Sequence, residues 1–99
     1  MVEIFGWDES DFRCVPCLKA KRLAETRGMI FDFIPLAKEK VTDAHKHNRE
    51  ELERRMHEMG KELKTLPQVF FDGVHVGGFD DFKAKIHSIE EARWDARIK

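Results

Sequence analysis

The succession of patterns along this 99-residue chain predicts an α/β fold, a four-stranded mixed sheet flanked by three helices. Three observations carry that expectation. A strand–helix–strand run opens the chain, and such crossovers place their two strands parallel. Two apolar runs joined by Asp72-Gly73 read as an antiparallel hairpin. Two further segments, one before and one after the hairpin, carry apolar residues at helical spacing.

Val2 to Trp7 is rich in β-branched and aromatic residues and reads as a short, largely buried strand, loosened at Gly6 before the polar stretch Asp8 to Asp11. Ala20, Leu23 and Ala24 then recur at helical spacing, with Pro16 near the start, where a missing N–H costs nothing. Gly28 suits the left-handed position that ends a helix, so the first helix is expected over roughly 15–27. Ile30 to Ile34 is the next strand, expected to end at Pro35. Residues 36–47 are polar and lack a period, and Thr42 or Asn48 could cap the helix that follows. Asn48 stands three residues before Glu51, in a capping-box-like arrangement. Leu52, Met56, Met59 and Leu63 form one apolar stripe, with Gly60 expected to close the helix and leave Leu63 to the loop. The hairpin pairs Gln68–Phe71 with Val74–Val76, and Asp-Gly between them favours a type I′ turn. After Gly77-Gly78, the residues Phe79, Phe82, Ile86 and Ile89 line one face of a third helix, with Asp80 and Asp81 in its first turn, where negative charge is favoured. The tail from Glu90 to Lys99 is charged but contains Trp94 and Ile98.

A chain of this length closes one core and buries roughly 60–70% of its unfolded surface. Residues 1–88 are therefore read as a single domain and 89–99 as its helical extension or tail. A formal net charge of −1 argues against a general polyanion binder, so nucleic acid is not an expected partner. No apolar run reaches the length of a membrane span. The strand beginning at Val2 leaves no room for a leader, and a cytoplasmic monomer is the expectation.

The chain's only two cysteines stand two residues apart, in Cys14-Val15-Pro16-Cys17, at the mouth of the first helix. That spacing brings two sulfurs close enough to cycle between dithiol and disulfide. A thiolate at a helix N-terminus is stabilised by the dipole and by free backbone N–H groups, which makes Cys14 the candidate nucleophile. Cys17, one turn further in, is the candidate resolving thiol. The pair could instead be half of a zinc site, but no second cysteine pair exists, and the five histidines lack the usual spacing. No metal site is therefore expected. Arg13, with Lys19, Lys21 and Arg22 along the first helix, makes the surroundings electropositive, which lowers a thiol pKa and attracts anions. Lys21 and Arg22 also fit a solvated helix face.

Three segments in order resemble the glutaredoxins, and most closely the small glutaredoxins of large tailed bacteriophages. They are Cys14-Val15-Pro16-Cys17 followed by Ala20-Lys21-Arg22-Leu23, Thr65-Leu66-Pro67-Gln68-Val69-Phe70, and Gly77-Gly78-Phe79-Asp80-Asp81. The likeness covers residues 2 to about 88 and implies the thioredoxin fold. It implies a glutathione-dependent thiol–disulfide oxidoreductase that reduces protein disulfides and glutathione mixed disulfides and has no bound cofactor. Ribonucleotide reductase is the protein partner implied by the phage relatives. The resemblance also implies that Pro67 is cis and lies against the cysteines, with the Leu66 backbone open to the middle of glutathione. Arg13 and Val15 would flank the reacting sulfurs, while Gly78, Phe79, Asp80 and Asp81 would receive the γ-glutamyl end, Asp81 ahead of Asp80. Bare physics offers both aspartates a simpler role as helix caps. The glycyl carboxylate would meet Arg13, Lys61 or Lys64.

The centre of the motif departs from the usual dithiol glutaredoxin pattern, because Val15 follows the first cysteine and Pro16 precedes the second, as in thioredoxins. Phe12 and Trp7 are the substitutes for the aromatic residue often found just before the active loop. Two other functions stay open on the sequence: a thioredoxin-like donor reduced by a flavin reductase, and a glutathione-ligated iron–sulfur module. Trp94 is read as packing back on the domain or serving a partner surface.

Overall fold

A computed structural model describes residues 1–98, with side chains through residue 92. The elements run β1 (Val2–Trp7), α1 (Val15–Thr26), β2 (Phe31–Leu36), α2 (Asp43–Glu58), β3 (Gln68–Phe71), β4 (Val74–Gly77) and α3 (Phe79–Ile98). The strands form one sheet in the order β2-β1-β3-β4. β1 pairs parallel with β2, Val2 opposite Phe31, and antiparallel with β3, Val2 opposite Phe71. β3 and β4 pair antiparallel around a turn whose two central residues, Asp72 (φ 49°) and Gly73 (φ 80°), both have positive φ. This is the geometry expected of the Asp-Gly turn.

Alternation along β1 divides the core in two. Val2 and Ile4 face α1 and α3, where they join Ala20, Ala24, Val69, Phe82 and Ile86. Phe5 points to the other face and packs with Leu36, Leu52, Met56 and Phe70 beneath α2. Glu3 shares that second face, and its carboxylate takes two hydrogen bonds from the Arg55 guanidinium at 2.9 and 3.0 Å. Arg55 also lies over the rings of Phe5 and Phe70, so one half-buried cation ties α2 to the sheet.

Three local expectations are corrected. β2 runs through Pro35 to Leu36 instead of stopping before it. β2 is an edge strand, and Leu36 turns its carbonyl inward to accept from Asp8 N–H (2.7 Å). Pro35 consequently faces outward, where no ladder partner needs its missing N–H and its carbonyl accepts from the Asn48 side chain (2.9 Å). Asn48 is thus an interior residue of α2, and the cap is Thr42. The Thr42 hydroxyl accepts from His45 N–H (3.2 Å) while His45 Nδ1 accepts from Thr42 N–H (3.1 Å), a capping box with histidine in the usual glutamate position. Finally, Met59 is the C-cap of α2 and is exposed, so the buried stripe of that helix is Leu52 and Met56, and Leu63 joins the core from the loop. α3 continues without a break from Phe79 to Ile98. The side chain of Trp94 lies outside the described residues.

Candidate active site

Cys14 is the N-cap residue of α1, with extended backbone (φ −110°, ψ 108°), and Val15 and Pro16 form the first helical positions. Its Sγ accepts the Cys17 N–H at 3.3 Å, so one of the free donors of the helix start points at this sulfur. The pair is joined as a disulfide, with 5.3 Å between the Cα atoms. Cys17 has no exposed surface, whereas Cys14 keeps 8%. Gly6 makes this depth reachable: a Cβ there would lie 3.1 Å from Cys17 Cβ and 2.9 Å from the Phe33 ring. A side chain at position 6 would need the Phe33 ring to move and the start of α1 to give by a few tenths of an ångström.

The loop before β3 faces the same sulfur. The Leu66–Pro67 peptide is cis, and the Leu66 carbonyl oxygen lies 3.9 Å from Cys14 Sγ. Gln68, buried at the head of β3, supports this loop by donating to the Thr65 carbonyl (2.9 Å). Its Oε1 accepts in turn from His75 Nε2 (2.7 Å), and Lys61 Nζ donates to His75 Nδ1 (3.3 Å). Burial, followed by the charge of Lys61, holds the His75 imidazolium pKa below its ordinary value, while Asp81 opposes the shift. The neutral ring fits this chain of bonds, because Nδ1 must accept while Nε2 donates.

Two clefts meet at this point. One, of about 350 Å³, is lined by Lys19, Thr65, Leu66, Gly78, Phe79 and Asp80. The Asp81 carboxylate accepts from Gly78 N–H (3.2 Å), the half capping box that local physics offers. Asp80 makes no hydrogen bond or ion pair among the described residues, and it is the carboxylate lining the cleft. Gly77 has φ 124°, and a Cβ there would sit 2.9 Å from Asp81 Cγ, so this glycine lets the aspartate fold back onto the helix start.

The second cleft, of about 550 Å³, contains Cys14, Val15 and Leu66 and carries four cations, Arg13, Lys38, Arg49 and Lys64. Val15 is half exposed at its rim. Trp7 and Phe12 meet edge to face (5.9 Å between centroids), and Lys38 Nζ lies 3.8 Å from the Phe12 centroid and 4.9 Å from that of Trp7. Of the two lysines suggested for a carboxylate, Lys64 lines this cleft, whereas Lys61 bonds to His75 away from it. Lys21 lies over Phe33 and contributes to packing there. Lys38 and Arg49 carry no sequence signal for this site. Arg49 projects from the second turn of α2, and Lys38 is brought in by a loop contact: Asp11 accepts backbone N–H bonds from Lys38 (2.7 Å), Glu39 (3.3 Å) and Lys40 (2.6 Å). These bonds, those from Lys40 and Lys38 foremost, hold the Asp11 carboxyl below its ordinary pKa. Asp8 is lowered likewise, by Ser10 first and then by His45, whose Nε2 donates to it at 3.1 Å. A third cavity, of about 340 Å³ near Ile30, Ile86 and Ile89, lies away from the thiols.

A solvent-reaching sulfur at a helix N-terminus, with a second sulfur buried behind it, can exchange disulfides. The glutaredoxin family model matches residues 2–76. The chain belongs to the glutaredoxin family. It is 33% identical over 87 residues to the glutaredoxin of Enterobacteria phage T4, covering 84% of this chain and 95% of that one. Among solved structures, glutaredoxin 1 from Francisella tularensis complexed with cacodylate superposes with a TM-score of 0.65 at 27% identity, over 91% of this chain and 95% of that one. A buckwheat glutaredoxin–glutathione complex gives 0.59 at 25% identity, over 88% and 68%. Family and cysteine pair together make this glutaredoxin a thiol–disulfide oxidoreductase, on the thioredoxin fold that the sequence predicts.

Proposed function

We propose that this protein is a dithiol oxidoreductase reduced by glutathione, with Cys14 as nucleophile and Cys17 as resolving thiol. The observation that carries the reading is the charge layout around Cys14. Asp80 and Lys19, one charge of each sign, line the first cleft, and the second cleft, which contains the sulfur, carries only cations, Arg13 and Lys64 among them. Glutathione has an ammonium beside one carboxylate at its γ-glutamyl end and a second carboxylate at its glycyl end, so the polarity matches. The likeness to a glutaredoxin that binds glutathione, the buckwheat protein, supports the same reading.

The Cys14 thiolate attacks one sulfur of a protein disulfide, forming a Cys14–substrate disulfide and expelling the other substrate sulfur as a thiolate. Cys17 thiolate then attacks Cys14 Sγ, releasing the second substrate thiolate and closing the Cys14–Cys17 disulfide, so two electrons have passed to the substrate. Two glutathione thiolates restore the dithiol in successive exchanges and leave as oxidised glutathione. With a glutathionylated protein, Cys14 attacks the glutathione sulfur and Cys17 is not needed. The disulfide-bearing partner implied by the phage resemblance is ribonucleotide reductase.

The test couples disulfide reduction in parallel to glutathione with its reductase and to thioredoxin reductase. Turnover is expected with glutathione. Cys17→Ser should keep the reduction of glutathione mixed disulfides, and Cys14→Ser should abolish all activity. Turnover with thioredoxin reductase alone would refute the glutathione assignment and favour the thioredoxin-like donor suggested by Pro16. Equal losses in the two cysteine variants would refute the division of roles.

A further inference from the structure

We infer that the cationic cleft selects protein disulfides whose cysteine lies in an acidic, extended segment, with Lys38 and Arg49 as the residues that read the acidity. This rests on the assignment of Cys14 as the attacking thiol. Glutathione presents a single carboxylate to this side of the sulfur, and one cation satisfies it. The cleft holds four and no carboxylate among its lining residues. Arg49 shares only its Nε with Glu53 (2.8 Å), and Lys64 lies 3.7 Å from Glu62. Arg13 and Lys38 have no carboxylate partner among the described residues.

The position of Lys38 is built. Its ammonium rests on Phe12 and Trp7, and Asp11 clamps the backbone N–H groups of residues 38, 39 and 40. A lysine held in this way presents its charge at one place beside Cys14 instead of sweeping solvent. The occupant must deliver a sulfur to Cys14, and it passes the Leu66 backbone, so it is a peptide rather than a free polyanion. Polarity also favours one direction, because the carboxylate of Asp80 lines the other cleft, whereas the cationic cleft has none.

The experiment uses reduced full-length protein in single turnover, without glutathione. Three cysteine peptides carry Glu, Gln or Lys on one flank and Gln on the other, each made in both orders about the cysteine and each activated as a 2-pyridyl disulfide; release of the thiopyridone gives the second-order rate, and the order with the larger Glu/Gln ratio is the one compared. At about 20 mM salt the Glu peptide should react about tenfold faster than the Gln peptide and the Lys peptide slower still, the difference shrinking at about 0.3 M salt as screening grows. The Lys38→Gln/Arg49→Gln variant should bring the Glu/Gln ratio to about twofold or less. Equal rates for the three peptides with the native protein would overturn the inference. So would a native Glu/Gln ratio retained in the double variant. Failure of glutathione turnover in the coupled assay leaves this measurement intact, so the two readings fail separately.

Discussion

Asp80 and Asp81 are adjacent acidic residues with different positions, and substituting them separately should divide binding from stability. Asp81 accepts the Gly78 N–H at the start of α3, so Asp81→Ala removes a cap. Loss of a capping bond costs about 1 kcal/mol. In a domain of this size that lowers Tm by about 4–8 °C. Asp80 lines the cleft and holds no partner among the described residues, so Asp80→Asn forfeits only its interaction with the helix dipole, about 0.3–0.5 kcal/mol at an exposed position. If glutathione binds as proposed, a charge-assisted bond from its ammonium to Asp80 is worth about 1 kcal/mol at an open cleft, so its loss corresponds to about a fivefold rise in KM for glutathione. Thermal unfolding and glutathione-dependent kinetics, with kcat and KM resolved, measure the two effects on the same preparations. The sequence ranks Asp81 ahead of Asp80 as the ligand contact, and the two variants test that order, because Asp81 accepts the capping bond while Asp80 lines the cleft. A raised KM in Asp81→Ala with unchanged Tm, alongside an unaffected Asp80→Asn, would refute the argument.

Gly77→Ala places a Cβ against the Asp81 carboxylate at a φ that L-residues rarely adopt, and should cost about 1–3 kcal/mol. The double variant Gly77→Ala/Asp81→Ala removes the steric part and keeps the backbone part, so its denaturation should show less than the sum of the two single losses; strict additivity would contradict the contact. The His75 pKa lies below its unfolded value, so the unfolded chain binds more protons and stability falls as pH drops through about 6.5, the ordinary imidazole value. His75→Gln should flatten the dependence of Tm on pH between about 7.5 and 5.5, and a slope equal to that of the native protein would count against the His75 assignment.

Much of this molecule is determined by local rules that a linear sequence displays. The Asp-Gly turn and the apolar periods of α1 and α3 depend on neighbours within a few residues, as does the placement of two cysteines at a helix start, and the structure carries all of them. The thiol chemistry belongs to that class. Asymmetry between the two sulfurs also follows locally, because a position one turn into a helix lies deeper than its N-cap. Other features needed the tertiary structure, since they join residues far apart in the chain. Pro35 continues a strand only because β2 lies at the sheet edge, and Asn48 loses the cap to Thr42 because its side chain is spent on the Pro35 carbonyl. Asp11 reaches a loop 27 residues away, Arg55 finds Glu3 across 52, and the cations of the Cys14 cleft come from four places, the β1–α1 loop (Arg13), the β2–α2 loop (Lys38), α2 itself (Arg49) and the α2–β3 loop (Lys64). Sequence spacing carries no trace of such meetings, because a carboxylate or a lysine obeys the same local preferences whether or not the fold brings it a partner. The thiol pair was thus legible from local chemistry, while the charge layout that surrounds it was decided by packing.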